Sequence, residues 1–361
     1  MRVLIVTKDI GSGFNAHYPV AELFRARNHK VTVVAEGGSM DFWTKAGYEI
    51  YGGMPEQGQF DPNTKIRFDI DPAKVLDEIK PNVVITELAD PIHLGESFGI
   101  EANKRDISLV FIEDLWGVHK RSKAVPNLVC TVDTIGDKKV KEYYQQGIRI
   151  EDVYVAITGN PAMDSVLNEK PHPELQKIVN DGKRLHVLFG QDDSTTPTLK
   201  GLVDALGKDD VFIARFHPKW LSDPSKSEHV NQWHALLKEA KEKGIEVAEQ
   251  PKGVNARQLM MAAYSSVSMW STTLTEAALL SLSVCWMSPV CKERMKAGLG
   301  FERYPLVDIG CVAEVSSPEE YLRVLEDRNT FIENCRRELK PDSKNAERVA
   351  EAIKDLILVW W

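Results

Sequence analysis

The chain has 361 residues, 43% hydrophobic and 27% charged, with a formal net charge of −8. This composition argues against extensive disorder, fibrous repeats and sequence-independent nucleic-acid binding, the last of which depends on dense Lys and Arg neutralising phosphates. The length suits two domains. The five cysteines, odd in number and without a CxxC pair, indicate neither a disulfide framework nor a zinc site and fit a reducing compartment.

Short β-branched runs alternate with helical patterns along the chain. The first series is RVLIV (2–6), PVAELFRARN (19–28), KVTVVA (30–35), VLDEI (75–79), NVVITE (82–87), SLVFIE (108–113) and NLVCTV (127–132). Strand, helix, strand at this spacing predicts a parallel sheet covered on both faces. A second series runs through LHVLFG (185–190), VFIARF (211–216), IEVAE (245–249), SSVSMW (265–270) and SVCWM (283–287). The expected fold is therefore α/β, with two Rossmann-like parallel-sheet domains facing a cleft. Residues 1–168 form the first domain and 183–341 the second, with a hinge within 165–182, where prolines, glycines and mixed charges interrupt the pattern. The tail 340–361 has an Asp/Ser start signal and reads as a helix returning to the first domain, so 342–361 is assigned there. No run reaches the length of a membrane span, and the N-terminus lacks a signal-peptide core. A cytoplasmic protein is expected. The terminal DLILVWW leaves peripheral membrane contact open, beside the preferred packing of a terminal helix on the body.

In open α/β sheets ligands bind beyond the carboxyl ends of the strands, so chemistry is sought in those loops. The first, TKDIGSGFNAHYP, carries Gly11 and Gly13, which permit a tight turn and close approach of a ligand to backbone. Gly11-x-Gly13-x-x-Ala16 with Glu36 also matches a dinucleotide fingerprint, although residues 7–10 separate strand and glycine. His17 falls just before the expected helix, where the dipole favours a neutral imidazole. It suits a general base, and equally a histidine that only hydrogen-bonds the loop. The next strand ends carry Glu87, Asp90 and His93, then Glu113, Asp114 and Trp116. Carboxylates there can orient sugar hydroxyls, or deprotonate one if burial raises their pKa; Asp90 and Asp114 serve equally as helix caps. His119 and Arg121 read as surface charge.

In the second half, Gly190 ends one strand, Arg215, His217 and Lys219 follow another, and Ser271, Thr272 and Thr273 follow a third. Glycine backbone, cations and hydroxyls together suit a diphosphate. Glu276, one helical turn beyond Thr272, is placed to accept from a ribose diol. Three hydroxyls exceed what a polar N-cap explains.

With these residues in view, the glycine loop with GFNAHYPVAELFRARNHKVTVVAEGG, the ITGNPAMDS segment, RFHPK and the stretch from QPKGVNARQ to WSTTLTEAALLSLSVCWM resemble GT-B glycosyltransferases over nearly the whole chain. The resemblance implies that the second domain binds a nucleotide sugar and the first its acceptor. Ser271, Thr272 and Thr273 would contact the donor diphosphate, Glu276 the ribose, Gly190 the facing phosphate loop, and 250–254 the base. His17 lies near the base of some inverting members, two residues ahead of the proline where their pattern has three. HPK, STTLTEA and the strand ending in Glu113 are also similar to non-hydrolysing UDP-N-acetylglucosamine 2-epimerases. Their Thr-Arg-Pro-Glu opening is absent here, and Gln191 stands where they have a histidine. The expected activity is metal-independent glycosyl transfer, with no cofactor, a UDP-sugar as donor and a glycan, lipid-linked sugar or small molecule as hydroxyl acceptor. His17, Asp90 and Glu113 are the catalytic candidates. An epimerase and a nucleotide-sugar binder without catalysis are the alternatives, no nucleic-acid partner is expected, and a homodimer is left open.

Overall fold

The β-branched runs are buried along nearly their whole length, as strands covered on both faces must be: β1 (Arg2–Thr7) exposes only its first residue, and no residue of β3 (Val83–Thr86) is exposed. The computed structural model describes residues 1–54, 56, 59, 67, 69–88, 94–145, 153–180, 182–339 and 342–360. Its contacts divide the chain into two units, Met1–Asp164 with Asp342–Trp361, and Ser165–Pro341.

Unit 1 adds β2 (Lys30–Ala35), β4 (Ser108–Ile112), β5 (Leu128–Thr131) and β6 (Tyr154–Ile157), with helices α1 (Ala16–Ala26), α2 (Ser39–Lys45), α3 (Pro72–Ile79), α4 (Leu94–Lys104) and α5 (Thr134–Gln145). Its six strands are all parallel, in the order β2-β1-β3-β4-β5-β6. Unit 2 contains α6 (Pro173–Asn180), β7 (Arg184–Gly190), α7 (Thr195–Ala205), β8 (Asp210–Phe216), α8 (Pro218–Ser222), α9 (Ser227–Glu242), β9 (Glu246–Val247), α10 (Ala256–Ala262), β10 (Ser265–Ser268), α11 (Thr273–Leu280), β11 (Leu282–Trp286), α12 (Pro289–Leu299), α13 (Pro305–Asp308), β12 (Ala313–Val315), α14 (Pro318–Glu326) and α15 (Arg328–Glu338). Its sheet is also parallel, in the order β12-β11-β10-β7-β8-β9.

Local sequence explains many of the helix ends. Ser288 caps α12, Pro289 occupies its first turn, and Gly300 closes it at φ 73°. Asn255 and Gln258 form a reciprocal capping box on α10. The last helix, α16 (Asn345–Trp360), takes a cap from far away: the Asn345 and Ala346 N–H groups donate to Asp164 at 2.9 and 2.8 Å. Val349, Ala350, Ile353 and Leu356 of α16 then enter the core of unit 1 beside Val20 and Phe24. Trp43, fully buried in that core, donates its indole N–H to Thr7 Oγ1 at 2.8 Å. Its truncation to alanine would cost about 3–5 kcal/mol. Residues 169–180 lie in unit 2, since α6 sinks Leu175 into a core with Leu185 and Val211. Among the described residues no helix is long and apolar enough to cross a membrane.

Candidate functional site

Strand order reverses between β1 and β3 in unit 1 and between β7 and β10 in unit 2. Loops that leave such neighbours part in opposite directions and open a crevice at the carboxyl edge. In unit 2 these are the loops beginning at Gly190 and Ser271, with the one after β8 alongside. The sheet thus brings together Gly190, His217 and Ser271, which lie 27 to 81 positions apart in sequence.

Gly190 admits no side chain, because a Cβ there would lie 2.6 Å from Thr195 Cγ2 and 2.9 Å from Phe216. Thr195 Oγ1 accepts from the Gln191 N–H at 3.0 Å, and Asp192 accepts from Ser194 N–H and from the Trp270 indole, both at 2.9 Å. Asp192 thereby ties the β7 loop to the β10 loop. Asp193 pairs with Arg294 at 2.8 Å, which holds its carboxyl below the usual range. Ser271 Oγ accepts from the Thr273 N–H at 3.2 Å and donates to Thr273 Oγ1 at 3.0 Å. Thr272, at the N-cap of α11, makes no capping bond with its side chain. Tyr304 steadies the turn, lying 3.0 Å from Thr275 Oγ1 and donating to Ser271 O at 2.9 Å. Arg215 Nη1 donates to Gln250 Oε1 at 3.0 Å, and His217 is exposed. The side chain of Lys219 lies outside the described residues.

Glu276 sits where expected on α11 but faces a partner that the sequence reading missed. Arg257 donates to its Oε1 through Nε and Nη2. A signal for this was present: a cation in the first turn of α10 opposes the helix dipole and needs an acidic neighbour.

In unit 1 the glycine loop is filled from within. Residues Ile10–Asn15 form a π-helical turn running straight into α1, so His17 lies inside the helix and not ahead of it. Its side chain is fully buried, with Nδ1 2.8 Å from Gly13 O. The Glu87 carboxylate accepts from the Lys8 N–H at 2.6 Å and the Asp9 N–H at 3.1 Å. A Cβ on Gly13 would meet Glu87 Oε2 at 2.1 Å, whereas Gly11 has open space. Gly13 therefore admits the protein's own anion where a dinucleotide fold would admit a pyrophosphate. Glu36, which that fold would turn toward a ribose, is sealed and accepts from the Leu94 and Arg67 N–H groups. Burial pushes its carboxyl up. Both facts overturn the dinucleotide fingerprint. Asp90 and His93 lie outside the described residues.

Glu113 has no exposed surface and lies 2.7 Å from His119 Nδ1, itself fully buried, which corrects the surface reading of His119. Burial raises the Glu113 carboxyl, His119 opposes this and Asp133 adds to it. Asp133 is spent on the start of α5, accepting from the Ile135 and Gly136 N–H groups and from the Trp116 indole. Asp114 differs. It keeps some exposed surface, yet enclosure by protein pushes it up to about 6, with Arg121 opposing and Glu113 and Asp9 adding. A carboxyl in that range can both take and give a proton near neutrality. Close by, Lys8, Glu36, Glu87, Glu96 and Arg121 line a cavity of about 20 Å³, room for one water. Among the described residues, no group of three or more His, Cys, Asp or Glu side chains could hold a metal ion.

The architecture matches solved structures along its length. UDP-GlcNAc 2-epimerase from Methanocaldococcus jannaschii superposes with a TM-score of 0.66 at 15% identity, covering 98% of this chain and 99% of that one. The Neisseria meningitidis UDP-GlcNAc 2-epimerase bound to UDP-GlcNAc gives 0.65 at 13%, covering 98% and 100%. MurG from Acinetobacter baumannii gives 0.60 at 13%, covering 98% and 99%. The chain has the GT-B fold. At such identities the likeness establishes the fold alone, and this GT-B fold is shared by epimerases and glycosyltransferases. No protein-family model and no curated protein matches the sequence.

Proposed function

We propose that this protein is a nucleotide-sugar-dependent glycosyltransferase, with the donor held by unit 2 and acid–base work assigned to unit 1. The observation that carries this reading is the meeting of the β10, β7 and β8 loops at the strand-order reversal. There, hydroxyls at Ser271–Thr273, the bare backbone of Gly190 and the Arg215 guanidinium suit a leaving diphosphate. Glu276 would hold the ribose diol, and residues 250–254 would face the base. With His17 and Glu113 sealed, Asp114 is the carboxyl of β4's end that retains access, and it would take the proton of the acceptor hydroxyl.

The second reading is a UDP-sugar epimerase, favoured by the crowd of carboxyls after β1, β3 and β4. Gln191 in place of the histidine of the epimerase pattern supports transfer over that reading. A thermal-shift screen with UDP, GDP, CDP, dTDP, ADP and NAD tests donor binding: one nucleoside diphosphate is expected to raise Tm, and Glu276→Ala to reduce the rise. No response to any nucleotide diphosphate sinks the reading. Incubation with UDP-GlcNAc alone separates the two chemistries, since a new sugar epimer formed without acceptor identifies the isomerase.

A further inference from the structure

Glu113 closes a loop onto itself through one oxygen. Its Oε1 accepts from the His119 backbone N–H at 3.2 Å and faces the His119 Nδ1 at 2.7 Å, and both side chains are fully buried. The loop so closed begins with Asp114 and ends in a short 3-10 turn (Val118–Arg121), so it carries both Asp114 and the guanidinium that opposes its protonation. Among the described residues, Glu113 Oε2, His119 Nε2 and the Tyr144 hydroxyl are buried without a hydrogen-bond partner. Such atoms are uncommon in folded proteins and call for an explanation at each site. The Tyr143 and Tyr144 rings flank the imidazole, at 5.1 and 5.8 Å between centroids.

We propose that Glu113 and His119 hold one proton between them as a buried pair, and that they are positioning residues whose contact sets the loop bearing Asp114 and Arg121. The inference rests on the reading of Asp114 as the acid–base group. A hydrogen on Nδ1 satisfies Oε1 and leaves Oε2 as the oxygen that changes protonation. When the pair takes up a second proton, Oε2 binds it and the pair goes from one negative charge to neutral. The groups around the pair are Asp114 on the loop, with Arg121 acting on Asp114, Asp133 before α5, and Tyr143 and Tyr144 on α5, with Lys120 set against Tyr143.

The test combines imidazole NMR with kinetics on the full-length protein. Long-range nitrogen–proton spectra, assigned with His119→Asn, should show Nδ1 protonated throughout a titration and its signal displaced in Glu113→Gln. An imidazole protonated only on Nε2, or one titrating freely at about pH 6.5, overturns the proposal. In UDP release from UDP-GlcNAc, His119→Phe should lower kcat about tenfold with KM little changed. His119→Asn, whose amide N–H replaces Nδ1–H, should restore most of the rate but move the midpoint of the pH profile. An unmoved midpoint would assign His119 a merely structural role and overturn the proposal. If His119→Phe does not fold, His119→Asn decides the kinetic arm. If the wild type neither binds nucleotide nor releases UDP, the transferase reading fails, while the imidazole spectra still decide the pair.

Discussion

Arg257 donates to a single oxygen of Glu276, through Nε at 3.1 Å and Nη2 at 2.8 Å, while its Nη1 donates to Ser165 Oγ at 2.7 Å. The fork occupies Oε1, and on the proposed reading Oε2 would accept from a ribose hydroxyl. Glu276→Ala is therefore expected to weaken nucleoside-diphosphate binding about tenfold, the worth of one hydrogen bond to a charged group. Arg257→Ala should weaken it too, because an uncompensated carboxylate would then stand beside the diphosphate. Calorimetric titration with UDP checks both, and unchanged affinity in Glu276→Ala would remove this carboxylate from the site.

Gly159 illustrates how a short motif answers to a distant element. Its φ is 79°, and a Cβ there would lie 2.0 Å from Asn345 Oδ1 at the start of α16. Gly159→Ala combines left-handed backbone strain with a clash against the returning helix, a loss on the order of 2–3 kcal/mol. Urea denaturation should show a lower midpoint for the variant, with α16 displaced or frayed.

Stability should depend on pH through a network inside unit 2. The His186 imidazole, fully buried in β7, lies 2.9 Å from Ser265 Oγ, 2.7 Å from the Tyr321 hydroxyl and 3.1 Å from Asp210 Oδ1. Burial lowers its proton affinity. The unfolded chain therefore takes up a proton that the folded imidazole refuses, so stability is full above about pH 6.5 and falls as pH drops below it. Asp210 acts lower down. Burial works to raise it, but hydrogen bonds from His186 and the Gly207 N–H and the charge of Arg184 prevail and bring it to about 2. Its contribution, about 2 kcal/mol, is present above pH 4 and is lost as pH falls toward 2. Denaturant melts should be run on Asp114→Asn, which removes the opposing gain of that carboxyl: a decline is expected between pH 7 and 5 and a second below pH 4, and a flat curve between pH 7 and 5 in that variant would contradict the His186 assignment.

Asp114 has the opposite sign. A carboxyl raised to about 6 binds its proton more tightly in the folded protein, so it destabilises the fold when ionised. The penalty is absent below about pH 4 and complete above pH 6, where it amounts to about 2–3 kcal/mol. Asp114→Asn should therefore be more stable than the wild type at pH 8 and nearly equal to it at pH 4. The same variant is expected to lose turnover while keeping its nucleotide-dependent rise in Tm. Full activity in Asp114→Asn would exclude it as the acid–base group.

What the sequence determined by itself was the architecture. Alternating β-branched runs and helical stretches can bury their apolar surface only as parallel sheets covered on both faces, and signals such as Ser288, Pro289 and Gly300 act within one helix turn. The positions of Gly190, the Ser271–Thr273 hydroxyls and Glu276 at strand and helix ends were likewise legible. Tertiary structure decided what those side chains meet. Arg257 on Glu276, Glu87 beneath Gly13, the Trp270 indole on Asp192 and Asp164 on the start of α16 join residues from 19 to 182 positions apart. Such pairings depend on strand order and on which loops it makes neighbours, and no local pattern encodes that order. The pair Glu113–His119 spans only six positions and still escaped the local reading, because whether a histidine in a charged stretch is buried or exposed is set by the α5 side chains that cover it.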